Sequence, residues 1–169
     1  MKALTLWQPW ASLVIVGAKP IEWRRWRAPD WATDQTIVIH AGSRRVVRDE
    51  VEDLIDSIEK DRHAQSFGAF GSTGLDADRA LALLRPVLAG DVALPTAAGL
   101  GTAYLSPARL ATEIVGGHSD SDRVDEAVWG WPLSQVDAWP APFPMRGHQG
   151  LWTWPDAEAV AAGFVGEPA

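Results

Sequence analysis

The sequence predicts a single α+β domain in which several short strands and a few helices close into a compact barrel. Three observations predict it. Strand-like runs recur at short intervals, at Ala3–Trp7, Thr36–Ala41, Gly101–Leu105, Arg109–Val115, Val128–Val136 and Gln149–Trp154. Helical periodicity is confined to a few segments and does not follow each strand, as βαβ repeats would require. The chain has 169 residues, 47% of them apolar, which suits one domain with a real core.

The elements follow in order. Ala3–Trp7 alternates as a first strand. Pro9 suits the first turn of a helix, where a missing N–H costs nothing. Trp10, Leu13, Val14 and Gly17 then share one helical face, and Gly17 is the expected stop because glycine enters the left-handed region without strain. Pro20 drives Lys19 to extended geometry. A strand is expected over Ile21–Arg27, with Glu22, Arg24 and Trp26 on one face and Trp23, Arg25 and Arg27 on the other.

Thr36–Ala41 reads as a buried β-branched strand broken by Gly42. Ser43 is the expected N-cap of a helix whose apolar stripe is Val47, Val51, Leu54, Ile55 and Ile58 and whose opposite face, from Asp49 to Asp61, is mostly acidic. Residues 65–100 read as an insertion: a glycine-rich loop around Gly68, Gly71, Ser72, Thr73 and Gly74, a helix over Asp76–Leu84 with Pro86 disturbing its last turn, and a second loop from Gly90 to Gly99. After the strand at Arg109–Val115 comes a polar stretch, His118–Glu126. In the next strand Trp129, Trp131 and Leu133 share a face. Asp137–Pro144 reads as a proline-rich crossing before the last strand, in which Leu151 and Thr153 oppose Trp152 and Trp154. The domain is expected to span 1–155, and 156–169 to be a short alanine-rich helical tail with a loose end.

Charge is unevenly placed. Residues 1–48 hold eight Lys/Arg against three Asp/Glu, a net of +5, and residues 49–169 hold seven against nineteen, a net of −12. An acidic body with a basic N-terminal third can steer a phosphate to one place while rejecting loose polyanion binding. The chain has ten tryptophans and no cysteine. Each tryptophan can fill core or stack on a base. The missing thiols exclude disulfides and cysteine-ligated metals and fit a cytoplasmic protein. His40, His63, His118 and His148 lack metal-ligand spacing, so no metal site is expected. Gln8-Pro9 and the cations from Lys19 to Arg27 argue against a signal peptide, and no apolar run is long enough to span a membrane. Phosphate-loop, dinucleotide and serine-hydrolase motifs are absent, and no cofactor is expected.

The stretch Gly17-Ala18-Lys19-Pro20-Ile21-Glu22-Trp23-Arg24 concentrates candidate chemistry. Lys19 held in a cleft near Arg24 can act as a base or bind phosphate; on a surface it would only pair with Glu22. Glu22 can accept a base's exocyclic amine, act as a general base, or lock the strand to Arg24 or Arg25. Arg24 can grip a phosphate in bidentate fashion or support Glu22.

These residues resemble a known pattern. Leu6-Trp7-Gln8-Pro9-Trp10-Ala11-Ser12-Leu13 resembles the opening of ASCH (activating signal cointegrator homology) domains, and Gly17, Lys19, Glu22 and Arg24 match their G-x-K-x-x-E-x-R signature. Ile39-His40-Ala41, Gly99-Leu100-Gly101-Thr102-Ala103, Trp129-Gly130-Trp131-Pro132-Leu133 and Arg146-Gly147-His148-Gln149-Gly150-Leu151-Trp152 match in order. The resemblance covers about residues 3–154 apart from the insertion.

The resemblance implies a PUA-like β-barrel with peripheral helices, and a cleft that takes RNA or a modified nucleoside. Some small ASCH proteins are amidohydrolases acting on acetylated cytidine, and a nuclease activity has been claimed in the family. The amidohydrolases place a threonine nucleophile where this chain has Glu22. A carboxylate is a poor substitute for a hydroxyl that must be acylated and released, so that mechanism does not transfer directly.

The expected ligand site therefore comprises Trp7, Gln8, Lys19, Glu22, Arg24, His40, Ser43, Arg146 and Gln149, with a tryptophan stacked on the base. Gln8 would read a base edge. His40 would contact the base or serve as acid/base, unless it is a satisfied core histidine. Ser43 would hold an anion at a helix N-terminus or simply cap it. Arg146 and Gln149 would close the cleft from the far side or form a solvated turn. Binding of RNA or a nucleoside leads. An amidohydrolase or ribonuclease using Lys19 and Glu22 is the alternative, and a protein-interaction module whose tryptophans fill an interface is the third reading.

Overall fold

The computed structural model describes residues 1–65, 74–114 and 129–155. Its strands are β1 (Lys2–Leu6), β2 (Ile21–Arg24), β3 (Gln35–Ala41), β4 (Ala98–Leu105), β5 (Arg109–Leu110), β6 (Trp129–Pro144) and β7 (Leu151–Thr153). Its helices are α1 (Trp10–Ile15), α2 (Arg48–Gln65), α3 (Ala77–Ala89) and the single turn α4 (Ala111–Ile114).

The strands form a mixed sheet in the order β2-β6-β4-β3-β1-β7, with β5 also paired to β6. The sheet curls into a half-barrel with helices around it, the α+β architecture expected. Among the described strands, β1 and β3 run parallel and the other pairs are antiparallel. Strand β3 is buried from Ile37 through Ala41, so both its faces are covered.

Two apolar clusters meet at α1. Ala11 and Val14 join the sheet residues Leu4, Leu6, Ile37, Ile39, Leu105, Trp131 and Leu133. Leu13, in α1, and Ala18, just beyond it, join Val51, Ile55 and Ile58 of α2 and Ala80, Leu81 and Leu84 of α3. A helix of six residues has little stability of its own, so packing on both sides holds it.

Several boundaries differ from the sequence reading. Strand β2 stops at Arg24, three residues early, while Trp26 still packs edge-on against Trp131 at 4.6 Å. Ser43 is exposed and does not cap α2, which begins five residues later at Arg48. Helix α3 runs through Pro86 to Ala89 and ends on left-handed Gly90.

The segment read as an insertion contributes structure to the domain. Helix α3 buries Ala80, Leu81 and Leu84 in the second cluster, and residues 98–100 open strand β4. Of the strand expected over Arg109–Val115, Arg109–Leu110 is a two-residue strand followed by α4, and Val115 lies outside the described residues. The proline-rich stretch 137–144 continues β6. Pro140, Pro142 and Pro144 alternate, so their missing N–H groups face the same side, and β4 pairs the other side only. The last strand is shortened to Leu151–Thr153. The loop from Gly68 to Thr73, the polar stretch His118–Glu126 and the tail from Asp156 lie outside the described residues.

Candidate functional site

Gly17 ends α1 at φ 71°, where its N–H donates to the Val14 carbonyl and those of Ala18 and Lys19 to the Leu13 carbonyl. Pro20 then sets the chain into β2. Its carbonyl accepts from the Leu133 N–H, which fixes the turn to β6. Glu22 lies opposite Trp131 in the antiparallel register and Arg24 opposite Trp129, so both side chains stand over the face that buries Trp131.

Lys19, Glu22 and Arg24 meet as one ionic cluster. Lys19 Nζ is 3.2 Å from Glu22 Oε2 and donates to the Ile21 carbonyl oxygen at 2.6 Å. Arg24 Nε is 2.9 Å from Glu22 Oε1. Side-chain exposures are 8% for Lys19, 11% for Glu22 and 26% for Arg24. The Arg24 Nε–H is buried and aligned with no acceptor, so its contact with Glu22 is charge proximity rather than a formed hydrogen bond. Burial holds the Lys19 ammonium below its usual pKa; Glu22 pulls it upward without offsetting the desolvation, and Arg24 adds to the depression. Lys19 Nζ also lies 5.5 Å over the Trp10 ring, and Arg24 5.9 Å from the Trp131 ring.

A cavity of about 380 Å³ opens beside Lys19; neither Glu22 nor Arg24 is among its described lining residues. Its walls are the end of α1 (residues 15–17), Lys19 and Pro20, Arg79 of α3, and residues 133–136 of β6. The β6 wall is irregular. Ser134 pairs with Tyr104 and Asp137 with Thr102, so Gln135 and Val136 oppose Ala103 alone in a bulge. Gln135 is held at φ 46°, a region non-glycine residues rarely adopt and one that concentrates at functional sites. Three polar lining residues escaped the sequence reading: Arg79, Ser134 and Gln135. The left-handed Gln135 leaves no composition signal, and Arg79 sits on a helix read as part of an insertion.

The other expected site residues fall elsewhere. Gln8 is buried, with Oε1 accepting from the Ser12 N–H at 3.2 Å and Nε2 donating to the Pro95 carbonyl at 2.7 Å. Its amide is committed to starting α1 and tying it to the loop before β4. Trp7 is exposed, with the Arg44 guanidinium 4.8 Å over its ring, and Ser43, beside Arg44 in the chain, is exposed too. Among the described residues, no aromatic ring lines the cavity; Trp10 reaches the site through Lys19.

His40 belongs to a separate network. Its Nε2 is 2.9 Å from the Met145 carbonyl oxygen, which can only accept, so Nε2 carries the proton. Nδ1 then accepts from the Thr5 hydroxyl at 3.2 Å, and that hydroxyl oxygen accepts from Trp152 Nε1 at 3.0 Å. Burial is the main cause that holds His40 below its ordinary pKa of 6.5, outweighing the Met145 bond. The ring is so closely covered that a Cβ on Gly147 would stand 2.2 Å from His40 Cε1. Arg146 and Gln149 are exposed on the loop over this network and do not line the cavity.

The fold and the cluster together define a curled α+β sheet protein with an ionic triad on its interior face and a cavity at its side. No family model matches the chain, and no curated protein does. Among solved structures the chain is similar to ASCH from Zymomonas mobilis, at 15% identity and a TM-score of 0.47, covering 95% of this chain and 90% of that one. It is similar also to two single-residue mutants of that protein. Both are 16% identical, with TM-scores of 0.47 and 0.46, covering 95% of this chain and 92% and 94% of theirs. Among the described residues, no group of metal-ligating side chains is present and no helix is long and apolar enough to cross a membrane.

Proposed function

We propose that this ASCH-like protein binds a nucleoside or a short single-stranded RNA in the cavity beside Lys19. The observation that carries the reading is that Lys19, the centre of the motif, is buried in an ion pair and at the same time forms part of a cavity wall. A volume of about 380 Å³ is within the range of small-ligand pockets. Ile15, Pro20, Leu133 and Val136 offer apolar contact to the flat face of a base. Ser134 and Gln135 supply the donors and acceptors that reading a base edge requires.

The test is a titration of ribonucleosides and short single-stranded RNA at low salt, followed by calorimetry or tryptophan fluorescence. Lys19→Met keeps the aliphatic stem and removes the charge. The expected result is saturable binding that weakens about tenfold in this variant and weakens with salt. Absence of binding, or equal affinity in a folded Lys19→Met protein, overturns the reading.

A hydrolytic reading has one observation in its favour. The depressed Lys19 ammonium and the adjacent Glu22 form an acid/base pair, and Ser134 lines the same cavity. Acetylated cytidine and labelled RNA are the substrates to incubate; unchanged substrate in both removes this reading. The interaction-module reading requires Lys19 in a salt bridge with no pocket around it, and the cavity counts against it.

A further inference from the structure

Helix α3 is tied to the motif at two points. The Asp76 N–H donates to the Ala18 carbonyl at 2.9 Å, and Arg79 Nη1 donates to the Gly17 carbonyl at 3.3 Å. The guanidinium lies so close to the turn that a Cβ on Gly17 would stand 2.7 Å from Arg79 Nη1. The first turn of α3 is thereby placed at the cavity's rim, with Arg79 in its wall.

Among the described residues two cations, Lys19 and Arg79, line the cavity, and their states differ. The Lys19 ammonium is already engaged by Glu22 and by the Ile21 carbonyl. Arg79 is held loosely: its side chain is 62% exposed, Asp76 Oδ2 is 3.6 Å from its Nε, and its bond to Gly17 is long. An ion pair that exposed contributes little and yields readily to a better partner. Neither contact uses Nη2, which leaves donors in the planar fork that matches a phosphate. Among the described residues, no acidic side chain lines the cavity.

We propose that Arg79 is a specificity-determining residue that grips a phosphate of the ligand, so that the cavity takes a nucleotide, or a phosphate-bearing RNA end, in preference to a neutral nucleoside. This rests on the reading that the Lys19 cavity is the ligand site. The base lies against the apolar wall between Pro20 and Leu133, and the phosphate projects to the rim. There the guanidinium exchanges its weak contacts for charge-assisted hydrogen bonds. The Ser134 hydroxyl and the Gln135 amide border the same space and add neutral donors.

The experiment compares ribonucleosides, their 5′- and 3′-monophosphates and inorganic pyrophosphate on the wild type, Arg79→Gln and Arg79→Lys, with thermal melts to establish that each variant is folded. Arg79 is mostly exposed, so its removal leaves the core intact. A monophosphate is expected to bind about ten- to a hundredfold more tightly than its nucleoside. Arg79→Gln is expected to erase that preference while changing nucleoside affinity less than about threefold, and Arg79→Lys to retain part of it. Equal affinity for nucleoside and monophosphate, or an equal loss of both in Arg79→Gln, overturns the proposal and leaves nucleoside binding standing. Pyrophosphate binding that depends on Arg79, with no nucleoside binding, sustains the anion site and removes the base. No binding of any probe overturns both.

Discussion

Removing the charge of Glu22 tests whether the motif's three ionic residues act as one energetic unit. Glu22→Gln preserves shape and leaves two cations without their shared carboxylate. Lys19 and Glu22 are about nine-tenths buried at the side chain, so the lost attraction is only weakly screened. At the effective dielectric of protein sites, charges 3.2 Å and 2.9 Å apart attract by about 5 kcal/mol each before desolvation is subtracted. Breaking a buried pair from one side typically costs about 3–5 kcal/mol. Two features hold this case to the lower end: burial already lowers the Lys19 pKa, so neutralising it costs less than for an exposed lysine, and Arg24, a quarter exposed, can turn outward. The expected loss is about 3 kcal/mol, which lowers the melting temperature of a chain this long by about 6–12 °C.

Lys19→Met leaves Glu22 beside Arg24 and is expected to cost about 1–2 kcal/mol. The double variant is expected to cost no more than about 2 kcal/mol, a coupling of about 2–3 kcal/mol. Urea denaturation measures all four proteins, with unchanged m values marking the same transition. Single costs that add to within about 0.5 kcal/mol, or a Glu22→Gln protein that melts like the wild type, would refute the view that burial makes these charges interdependent.

His40 gives a pH prediction. Its folded pKa lies below the ordinary 6.5, so the unfolded chain takes up the proton first as pH falls. Stability contributed by neutral His40 is therefore full above about pH 6.5 and is lost as pH falls from there towards the folded pKa, at no more than about 1.4 kcal/mol per pH unit. Urea midpoints at pH 8 and 5.5 should converge in His40→Asn relative to the wild type; identical pH dependence in the two would refute the assignment. Gly17→Ala places a Cβ at φ 71° against the Arg79 guanidinium and is expected to cost about 1–2 kcal/mol, read from the same melts; a neutral result would mean the turn relaxes freely.

What the sequence revealed of the fold follows from how local the determinants are. Gly17 and Pro20 punctuate the chain by their own backbone chemistry, and the stop of α1 and the start of β2 stand where those residues require. The apolar stripe from Val51 to Ile58 specifies α2, but not its first residue. Ser43 has a capping side chain, but residues 43 and 44 form a bend and residues 45–47 are irregular, so the helix begins only at Arg48. The prolines of 137–144 mislead for the opposite reason. Proline forbids strand only where its N–H is needed, and the need depends on which side β4 lies, a tertiary fact absent from the local sequence.

The same distinction divides the site. Lys19, Glu22 and Arg24 lie within six residues of each other, and a turn followed by period-two alternation sets their spacing, which pairing with β6 then fixes. Gln8 and His40 have polar chemistry visible in the sequence, but their partners, Pro95 and Met145, lie 87 and 105 positions away. Only the fold shows that those side chains are occupied. Arg79 is the converse: an unremarkable helical arginine until the Asp76 N–H meets the Ala18 carbonyl and sets the first turn of α3 against Gly17. The cavity's cationic rim is thus a product of packing between distant segments. On the proposed reading, changes at the Asp76–Ala18 junction alter ligand preference while leaving the ionic triad in place.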